Sequence, residues 1–304
     1  MSESLATRPK PEWLKVRAPG GKNFVKLKEM MRERKLATVC EEARCPNIGE
    51  CWGGGTATIM VMGDTCTRGC RFCNVKTAKI PGSLDPNEPM NVAASLQDMV
   101  VNYVVLTTVD RDDLPDQGAA HFAQIIREVK RVNPKLRIEA LGGDFQGRKD
   151  LLEILLRTGG IDVFAHNIET VERLTPRVRD RRAGYEQTLR VLRMAKEIIP
   201  NQVTKSSIML GLGEAPDEVV QAMRDVRAAG VEIFTLGQYL RPTTKHLEVV
   251  EFITPAKFEE YRKIGIDLGF KYVASGPLVR SSYRAGEFFI EAFLKEKELT
   301  EVSF

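Results

Sequence analysis

A chain of 304 residues, 43% of them hydrophobic and 28% charged, is long enough to bury a full core and has the composition of an ordinary globular protein. Its net charge of +4 is too small to indicate nucleic-acid binding, and no apolar run approaches the ~20 residues of a membrane span. The first residues lack the apolar core of a secretory signal. We therefore expect no nucleic-acid or membrane partner. The expected location is the cytoplasm, or the matrix of a mitochondrion or plastid if the source is eukaryotic.

The first 55 residues predict an N-terminal extension that carries a metal site. Residues 1–36 are basic and contain prolines, which predicts an arm lying across a larger body, with one short helix at residues 23–34. A first cysteine triplet follows, in which Cys40, Cys45 and Cys51 have C-x4-C-x5-C spacing. Three thiols are one short of the four ligands of a structural zinc site.

All six cysteines of the chain lie between Cys40 and Cys73. A disulfide framework is typical of short secreted chains, so metal ligation in a reducing compartment is the better interpretation here. If the six thiols bound zinc, one structural site would take four of them and the other two would be left over. A separate cluster for each triplet, with the missing ligand supplied by substrate or by distant residues, accounts for all six, and we favour it.

The second triplet, Cys66, Cys70 and Cys73, has C-x3-C-x2-C spacing with Phe72 before the last cysteine. Thiolates this close on one loop can hold a single metal centre. A site with three protein ligands leaves one position open, which in a cubane 4Fe–4S cluster is an iron without a cysteine. A zinc knuckle or a set of buried thiols is the alternative. The pattern resembles the cluster loop of the radical SAM superfamily, in which a 4Fe–4S cluster works with S-adenosylmethionine (SAM).

From residue 56 onward, short β-branched segments alternate with helical patterns. The strand patterns lie at residues 56–63, 102–108, 136–141, 161–166, 203–210 and 231–240, and the clearest helical patterns lie at residues 119–132, 149–157, 185–199, 217–229 and 255–268. Such alternation predicts an α/β protein with a parallel sheet covered by helices. About six units fall short of the eight of a complete TIM barrel, so we predict a partial (β/α)6 barrel over residues 56–270. Residues 271–304, with a strand pattern at 272–279, form the predicted C-terminal extension.

Polar side chains lie at the ends of several predicted strands, where barrel enzymes carry their chemistry. Thr107 closes the second strand, Asp144 follows the third, Asn167 and Glu169 follow the fourth, and Lys205 lies within the fifth. Asparagine and glutamate can hydrogen-bond a ribose, and a threonine hydroxyl can accept a hydrogen bond from an ammonium group. A turn or cap role is the alternative for each of them.

A basic run follows the fourth strand and contains Arg177, Arg179, Arg181 and Arg182. A run of charges usually forms a solvated face. The alternative is a docking patch for an acidic protein partner, whose association would slow as salt rises.

The two cysteine triplets in this order, with Arg-Ser-Ser-Tyr at residues 280–283, closely resemble the lipoyl synthase family. The resemblance covers about residues 36–285 and includes Cys-Glu-Glu-Ala-Arg-Cys-Pro-Asn, Arg-Asp-Asp-Leu-Pro-Asp, His-Asn-Ile-Glu-Thr and Thr-Lys-Ser…Leu-Gly-Leu-Gly-Glu in family-like order. Two departures are Glu248, where the family has proline, and Gly143 before Asp144, where many members have proline. Both lie outside the cluster motifs, so they affect the expected loop shapes and not the expected reaction.

The resemblance implies a role for each motif residue. Cys66, Cys70 and Cys73 would hold the 4Fe–4S cluster that cleaves SAM, and together with Ser282 they are the expected catalytic residues. An auxiliary 4Fe–4S cluster would be held by Cys40, Cys45, Cys51 and Ser282, with Ser281 as the weaker candidate for the serine ligand. SAM contacts are expected at Phe72, Thr107, Asn167, Glu169 and Lys205.

The resemblance also implies a reaction and its partners. The expected activity is that of a sulfurtransferase of lipoate biosynthesis, which inserts sulfur at C6 and C8 of an octanoyl chain on a lysine. SAM-derived 5′-deoxyadenosyl radicals would abstract the hydrogens, and the auxiliary cluster would supply the sulfide. Expected partners are an octanoylated lipoyl carrier protein or domain (an E2 subunit or the glycine cleavage H protein), a flavodoxin or ferredoxin reductant, and an iron–sulfur cluster carrier. The alternatives are a two-cluster methylthiotransferase of the same superfamily, an electron-transfer iron–sulfur protein and a structural zinc module.

Overall fold

The β-branched segments form strands in a computed structural model of the protein, which describes residues 10–16, 20, 22–34, 36–38, 41, 47–48, 58–99 and 101–282. Within these residues the strands are β1 (Ala37–Thr38), β2 (Ile59–Val61), β3 (Thr65–Cys66), β4 (Lys76–Thr77), β5 (Tyr103–Thr108), β6 (Arg137–Leu141), β7 (Val163–Ala165), β8 (Val203–Leu210), β9 (Ile233–Gln238) and β10 (Tyr272–Gly276). Each strand pattern of the sequence contains one of them. Strand β2 ends at Val61, before the end of the predicted pattern at residue 63, because Met62 and Gly63 both have positive φ.

The strands of the main sheet pair in the order β1-β2-β5-β6-β7-β8-β9-β10, while β3 and β4 form a separate pair. Neighbours from β2 to β10 run parallel, and β1 runs antiparallel to β2. Each crossover therefore leads to the neighbouring position, as in a barrel of βα units. In the described part of the chain β1 and β10 are the two edges, so the barrel is open. The predicted partial (β/α)6 barrel is confirmed. The division into residues 1–55, 56–270 and 271–304 remains a prediction.

Helices pack against the sheet and form the outer layer. In the described residues they are α1 (Lys22–Glu33), α2 (Glu88–Met99), α3 (Ala119–Val132), α4 (Lys149–Leu156), α5 (Thr175–Val178), α6 (Tyr185–Ile198), α7 (Pro216–Ala228) and α8 (Pro255–Asp267). In α3 the buried residues Ala119, Phe122, Ile126 and Val129 recur at helical spacing and join the core. The sequence patterns did not predict α2. None of the described helices is long and apolar enough to cross a membrane.

Strand side chains alternate between the helical layer and the barrel interior. Inside, Tyr103, Val105, Val163, Val203 and Ile233 form a small apolar cluster that is separate from the two larger clusters under the helices. Side chains further along the same faces of these strands point to the same interior, nearer the carboxyl ends. The polar residues at the strand ends therefore surround one opening.

Candidate active site

The carboxyl ends of the strands surround a cavity of about 600 Å³, which is within the size range of small-molecule sites. Among the predicted site residues, those that line it are Cys66, Cys70, Phe72, Cys73, Thr107, Asn167, Glu169 and Ser282. The structure thus brings together every predicted site residue that it describes, except Lys205. The expected juxtaposition of cysteine loop and strand ends is present.

The cysteine loop, residues 66–73, is oriented by hydrogen bonds to its sulfur atoms. Cys66 Sγ accepts a hydrogen bond from Asp110 N at 3.3 Å. Cys70 Sγ accepts one from Asp180 N at 3.3 Å. Backbone N–H donors aimed at sulfur favour the thiolate form, and such donors tune iron–sulfur centres. These donors would stabilise the thiolates of Cys66 and Cys70 once a bound metal centre has displaced their protons.

The chemistry of these donors fits an iron–sulfur cluster. Burial raises the pKa of the Cys66 and Cys70 thiols to about 12 and that of Cys73 to about 11. Near neutral pH such thiols ionise when a bound cation compensates their charge. Across the described residues, no three His, Cys, Asp or Glu side chains converge as a single ion requires. All three cysteines of the loop line one cavity, and three thiolates on one loop suit ligands of separate irons in a cubane.

Arg68, between the first two cysteines of the loop, is the centre of a buried ionic network. Its guanidinium donates to the two carboxylate oxygens of Asp144 at 2.7 Å each and to those of Asp112 at 2.9 and 2.8 Å. Burial alone would raise the pKa of Asp144, but the hydrogen bonds from Arg68 outweigh it and hold that pKa below its ordinary value. Bidentate pairs of this kind fix geometry as well as charge. The network ties the cysteine loop to the loops that follow β5 and β6.

Asn167 and Glu169 follow β7 in a turn that has a strained backbone and is hydrogen-bonded to β8. Glu169 has φ 66, a conformation that costs a non-glycine residue about 1 kcal/mol or more. Its N donates to Ser207 O at 3.0 Å, and its O accepts from Met209 N at 2.9 Å. Asn167 Oδ1 is buried without a hydrogen-bond partner, and burial raises the pKa of Glu169. Polar atoms held in this way at a cavity wall are suited to bind the hydroxyls or amines of a ligand.

Lys205 does not reach the cavity. Its Nζ donates to Glu139 Oε1 at 2.9 Å and to Oε2 at 2.8 Å, and Tyr103 Oη donates to Glu139 Oε2 at 2.7 Å. Ser207, two residues further along β8, does line the cavity, so Lys205 lies about 7 Å deeper in the barrel. We therefore remove Lys205 from the expected SAM contacts, because its ammonium group neutralises a buried carboxylate.

The basic run divides between surface and interior. Arg177 and Arg181 are exposed, but Arg179 is 8% exposed and lines the cavity. Its Nη1 donates to Thr188 Oγ1 at 2.8 Å, while its Nε is buried without a partner. The solvated-face interpretation therefore fits the exposed Arg177 and Arg181 but not Arg179. The Arg179 guanidinium is a cationic hydrogen-bond donor at the cavity wall.

The segment from Val279 to Ser282 lines the cavity. Val279 O lies 2.0 Å from the place where a Cβ on Gly237 would be, so β9 needs glycine there for the segment to pass. Asn47 Nδ2 donates to Leu278 O at 2.7 Å. This hydrogen bond joins Asn47 to the segment that carries Ser282.

The first cysteine triplet, Cys40, Cys45 and Cys51, lies outside the described residues. Asn47 stands between the second and third of these cysteines in the sequence, so its hydrogen bond ties that part of the chain to the C-terminal segment. Whether the triplet and Ser282 share one centre stays a prediction at this point.

The comparisons with known proteins first define a class. The radical SAM superfamily matches residues 60–226, which include the cysteine loop. The crystal structure of methylornithine synthase superposes with a TM-score of 0.54 at 14% identity, covering 84% of this chain and 83% of that one. Streptococcus suis SuiB, solved with S-adenosylmethionine, superposes with a TM-score of 0.55 at 9% identity, covering 76% of this chain and 54% of that one. Such distant likenesses show the fold, and with the family match they define a radical SAM protein.

More similar relatives then give the family. A protein of Drosophila pseudoobscura pseudoobscura named mitochondrial lipoyl synthase is 60% identical over 296 residues, or 96% of this chain and 79% of the relative. A Culex quinquefasciatus protein of the same name is 60% identical over 292 residues, or 94% of this chain and 77% of the relative. Residues 3–45 match the N-terminal domain of lipoyl synthase. The chain belongs to the lipoyl synthase family of radical SAM enzymes, which confirms the resemblance of its motifs.

Proposed function

We propose that this enzyme inserts two sulfur atoms, at C6 and C8, into an octanoyl chain carried on a lysine of a lipoyl carrier protein. Family membership supports the proposal, and one observation carries it. Three thiols from a single loop, the polar pair Asn167 and Glu169, and Ser282 all line one cavity of about 600 Å³. A space with these walls suits a cluster, SAM and an acyl chain together.

The substrate explains why such a site is needed. The methylene groups of an octanoyl chain are unactivated, and no side chain has a pKa that would allow it to remove their hydrogens as protons. When bound, the cluster and SAM supply a 5′-deoxyadenosyl radical, which abstracts such hydrogens. The chain's own task is to hold the reactants in register and to keep water from the radical.

The described residues divide that task. Cys66, Cys70 and Cys73 would hold the SAM-cleaving cluster and leave one iron open to SAM. Asn167 Oδ1, which has no partner, would accept a hydrogen bond from one ribose hydroxyl. Glu169, on the same turn, would accept a hydrogen bond from a second ribose hydroxyl. The remaining expected SAM contacts on the cavity wall are Phe72 and Thr107.

An auxiliary 4Fe–4S cluster, held by Cys40, Cys45, Cys51 and Ser282, is the proposed source of sulfur. The hydrogen bond from Asn47 to Leu278 supports this ligand set, because it draws the two segments together. A serine oxygen matches soft iron less well than a thiolate does. Ser282 is therefore a ligand that the chain can release when the sulfur is needed.

The proposed partners follow from the substrate and the chemistry. They are an octanoylated E2 subunit or glycine cleavage H protein, a flavodoxin or ferredoxin reductant, and an iron–sulfur cluster carrier. The relatives are named mitochondrial, which favours the matrix of a mitochondrion over the cytoplasm as the location.

Anaerobic reconstitution, followed by incubation with SAM, dithionite and an octanoyl-lysine peptide, tests the proposal. The native chain should form 5′-deoxyadenosine and a peptide that is heavier by two sulfur atoms in its dithiol form. Cys66→Ala should abolish deoxyadenosine formation, whereas Cys40→Ala should retain SAM cleavage and lose sulfur insertion. A peptide that gains a methylthio group, or sulfur that does not come from the protein, would contradict the proposal.

A further inference from the structure

A band of basic side chains lies on and beside the cysteine loop, on the surface of the protein. This basic band consists of Arg71, Arg177, Arg181 and Lys245, which are all exposed. Within the part of the chain that the structure describes, none of the four has a charged partner. None of them lines the cavity. The band is therefore a cationic surface that the site chemistry described so far does not use.

Backbone contacts bring the segments of the basic band together. Arg71 N donates to Val178 O at 2.9 Å, and Leu247 N donates to Arg71 O at 3.3 Å. His246 Nε2 lies 3.0 Å from Cys73 O, which holds the second of these segments on the same loop. The segments that carry the other three basic residues thus flank Arg71 on its two sides.

The band and the thiols lie on different sides of one loop. Cys70, Phe72 and Cys73 line the cavity, whereas Arg71 does not. A protein seated on the basic band would be separated from the cluster ligands by the thickness of that loop. It would reach this position without entering the cavity.

We propose that the basic band is the docking surface for an acidic one-electron donor protein of the flavodoxin or ferredoxin type, an inference that rests on the proposed radical SAM chemistry. The donor gives up one electron and is oxidised. With a cluster held by Cys66, Cys70 and Cys73, that one electron would be consumed in breaking the C5′–S bond of SAM, which would give methionine and the 5′-deoxyadenosyl radical. One electron balances this cleavage, so no further oxidant or reductant is needed.

The position of the band favours an electron donor over the lipoyl carrier protein. The carrier must deliver an acyl chain into the cavity, whose lining includes Arg241, Arg280 and Ser282 instead of the band. An electron donor needs only to come close to the cluster. Unpaired surface cations attract an acidic partner and raise its association rate at low salt.

Charge reversal on the band tests this inference in the reconstituted holoenzyme. The variant is Arg177→Glu/Arg181→Glu, and the matched control is Lys135→Glu/Arg224→Glu, which reverses two exposed residues away from the cysteine loop. Deoxyadenosine formation is measured with photoreduced flavodoxin at a subsaturating concentration, and separately with dithionite. With flavodoxin at low salt we expect the variant to be about tenfold slower than the native enzyme, and the control to stay within twofold. With dithionite, both should stay within twofold of native.

Several outcomes would overturn the inference. An unchanged rate of deoxyadenosine formation with flavodoxin in the variant would place the docking surface elsewhere. An equal loss of rate with flavodoxin and with dithionite would mean that the basic band supports the cluster site itself. A raised KM for the octanoylated carrier in the dithionite assay would assign the band to the carrier. Deoxyadenosine formation reports on electron delivery, whereas product mass reports on sulfur insertion, so failure of the proposed function is distinguishable from failure of the docking inference.

Discussion

Replacement of Arg68 by methionine tests whether the ionic network holds the cysteine loop. The guanidinium serves Asp112 and Asp144, whose side chains are 7% and 1% exposed. Methionine keeps the apolar stem but leaves the buried Asp144 carboxylate without a counter-charge, whereas Asp112 keeps Arg182 Nη1 at 3.3 Å. Loss of one partner of a buried ion pair costs about 3–5 kcal/mol. We expect the lower end, about 3 kcal/mol of the free energy of unfolding, because Gln187 Nε2 and Gln146 N still donate to Asp144 at 2.6 and 2.9 Å.

Urea unfolding of the apoprotein measures this change. Arg68→Lys retains the charge but not the planar fork, so its loss should be smaller than that of Arg68→Met. The triple variant Arg68→Met/Asp112→Asn/Asp144→Asn removes the buried charges and should recover much of the lost stability. A loss below about 1 kcal/mol in Arg68→Met would refute the reasoning. A triple variant no more stable than the single one would refute it as well.

Three further changes test other parts of the structure. Burial lowers the pKa of His166 from 6.5 to about 4, so below pH 6.5 the unfolded chain binds a proton that the folded chain does not. Stability should fall by roughly 3 kcal/mol from pH 6.5 to 4, and urea unfolding of His166→Gln should show a smaller fall. Lys205→Met leaves the buried Glu139 carboxylate with the Tyr103 hydrogen bond but without a counter-charge. This should cost about 3 kcal/mol in urea unfolding and leave the KM for SAM unchanged. Gly237→Ala sets a Cβ against Val279 O, and hydrogen exchange followed by mass spectrometry should become faster in the segment after β10.

Each of these changes has its own control or contrary result. An equal loss of stability between pH 6.5 and 4 in His166→Gln would contradict the assignment to that side chain. Lys205→Met/Glu139→Leu should regain stability because no charge is left buried, and a raised KM for SAM in Lys205→Met would restore that residue to the SAM site. Gly82→Ala is the control for the glycine change, because a Cβ there meets nothing within 4 Å.

The barrel and the position of the cysteine loop could be predicted from the sequence. Buried parallel strands are short β-branched runs, and the helices between them carry apolar residues at helical spacing, so both signals are local. The position of Asn167 and Glu169 at the cavity could be predicted because chemistry collects at the carboxyl ends of barrel strands. That rule needs no knowledge of tertiary contacts.

The ionic network and the depth of Lys205 could not be predicted in this way. Arg68 and Asp144 are 76 positions apart, and no local pattern shows which of the many charged residues pair in space. Lys205 lies in a strand that was predicted correctly, but the sequence does not show how far along the barrel axis a strand residue lies. The one available signal is its position two residues before Ser207, which indicates the same face and a deeper layer.

The hydrogen bond between Asn47 and Leu278 joins residues 231 positions apart. At a translation rate of about 5–20 residues per second, roughly 10–50 s pass between synthesis of the two. The strands of the barrel are therefore synthesised before Leu278 O, the acceptor of the Asn47 hydrogen bond, exists. This hydrogen bond forms only after β10 has been synthesised, so the two segments that it joins meet after the barrel between them has emerged.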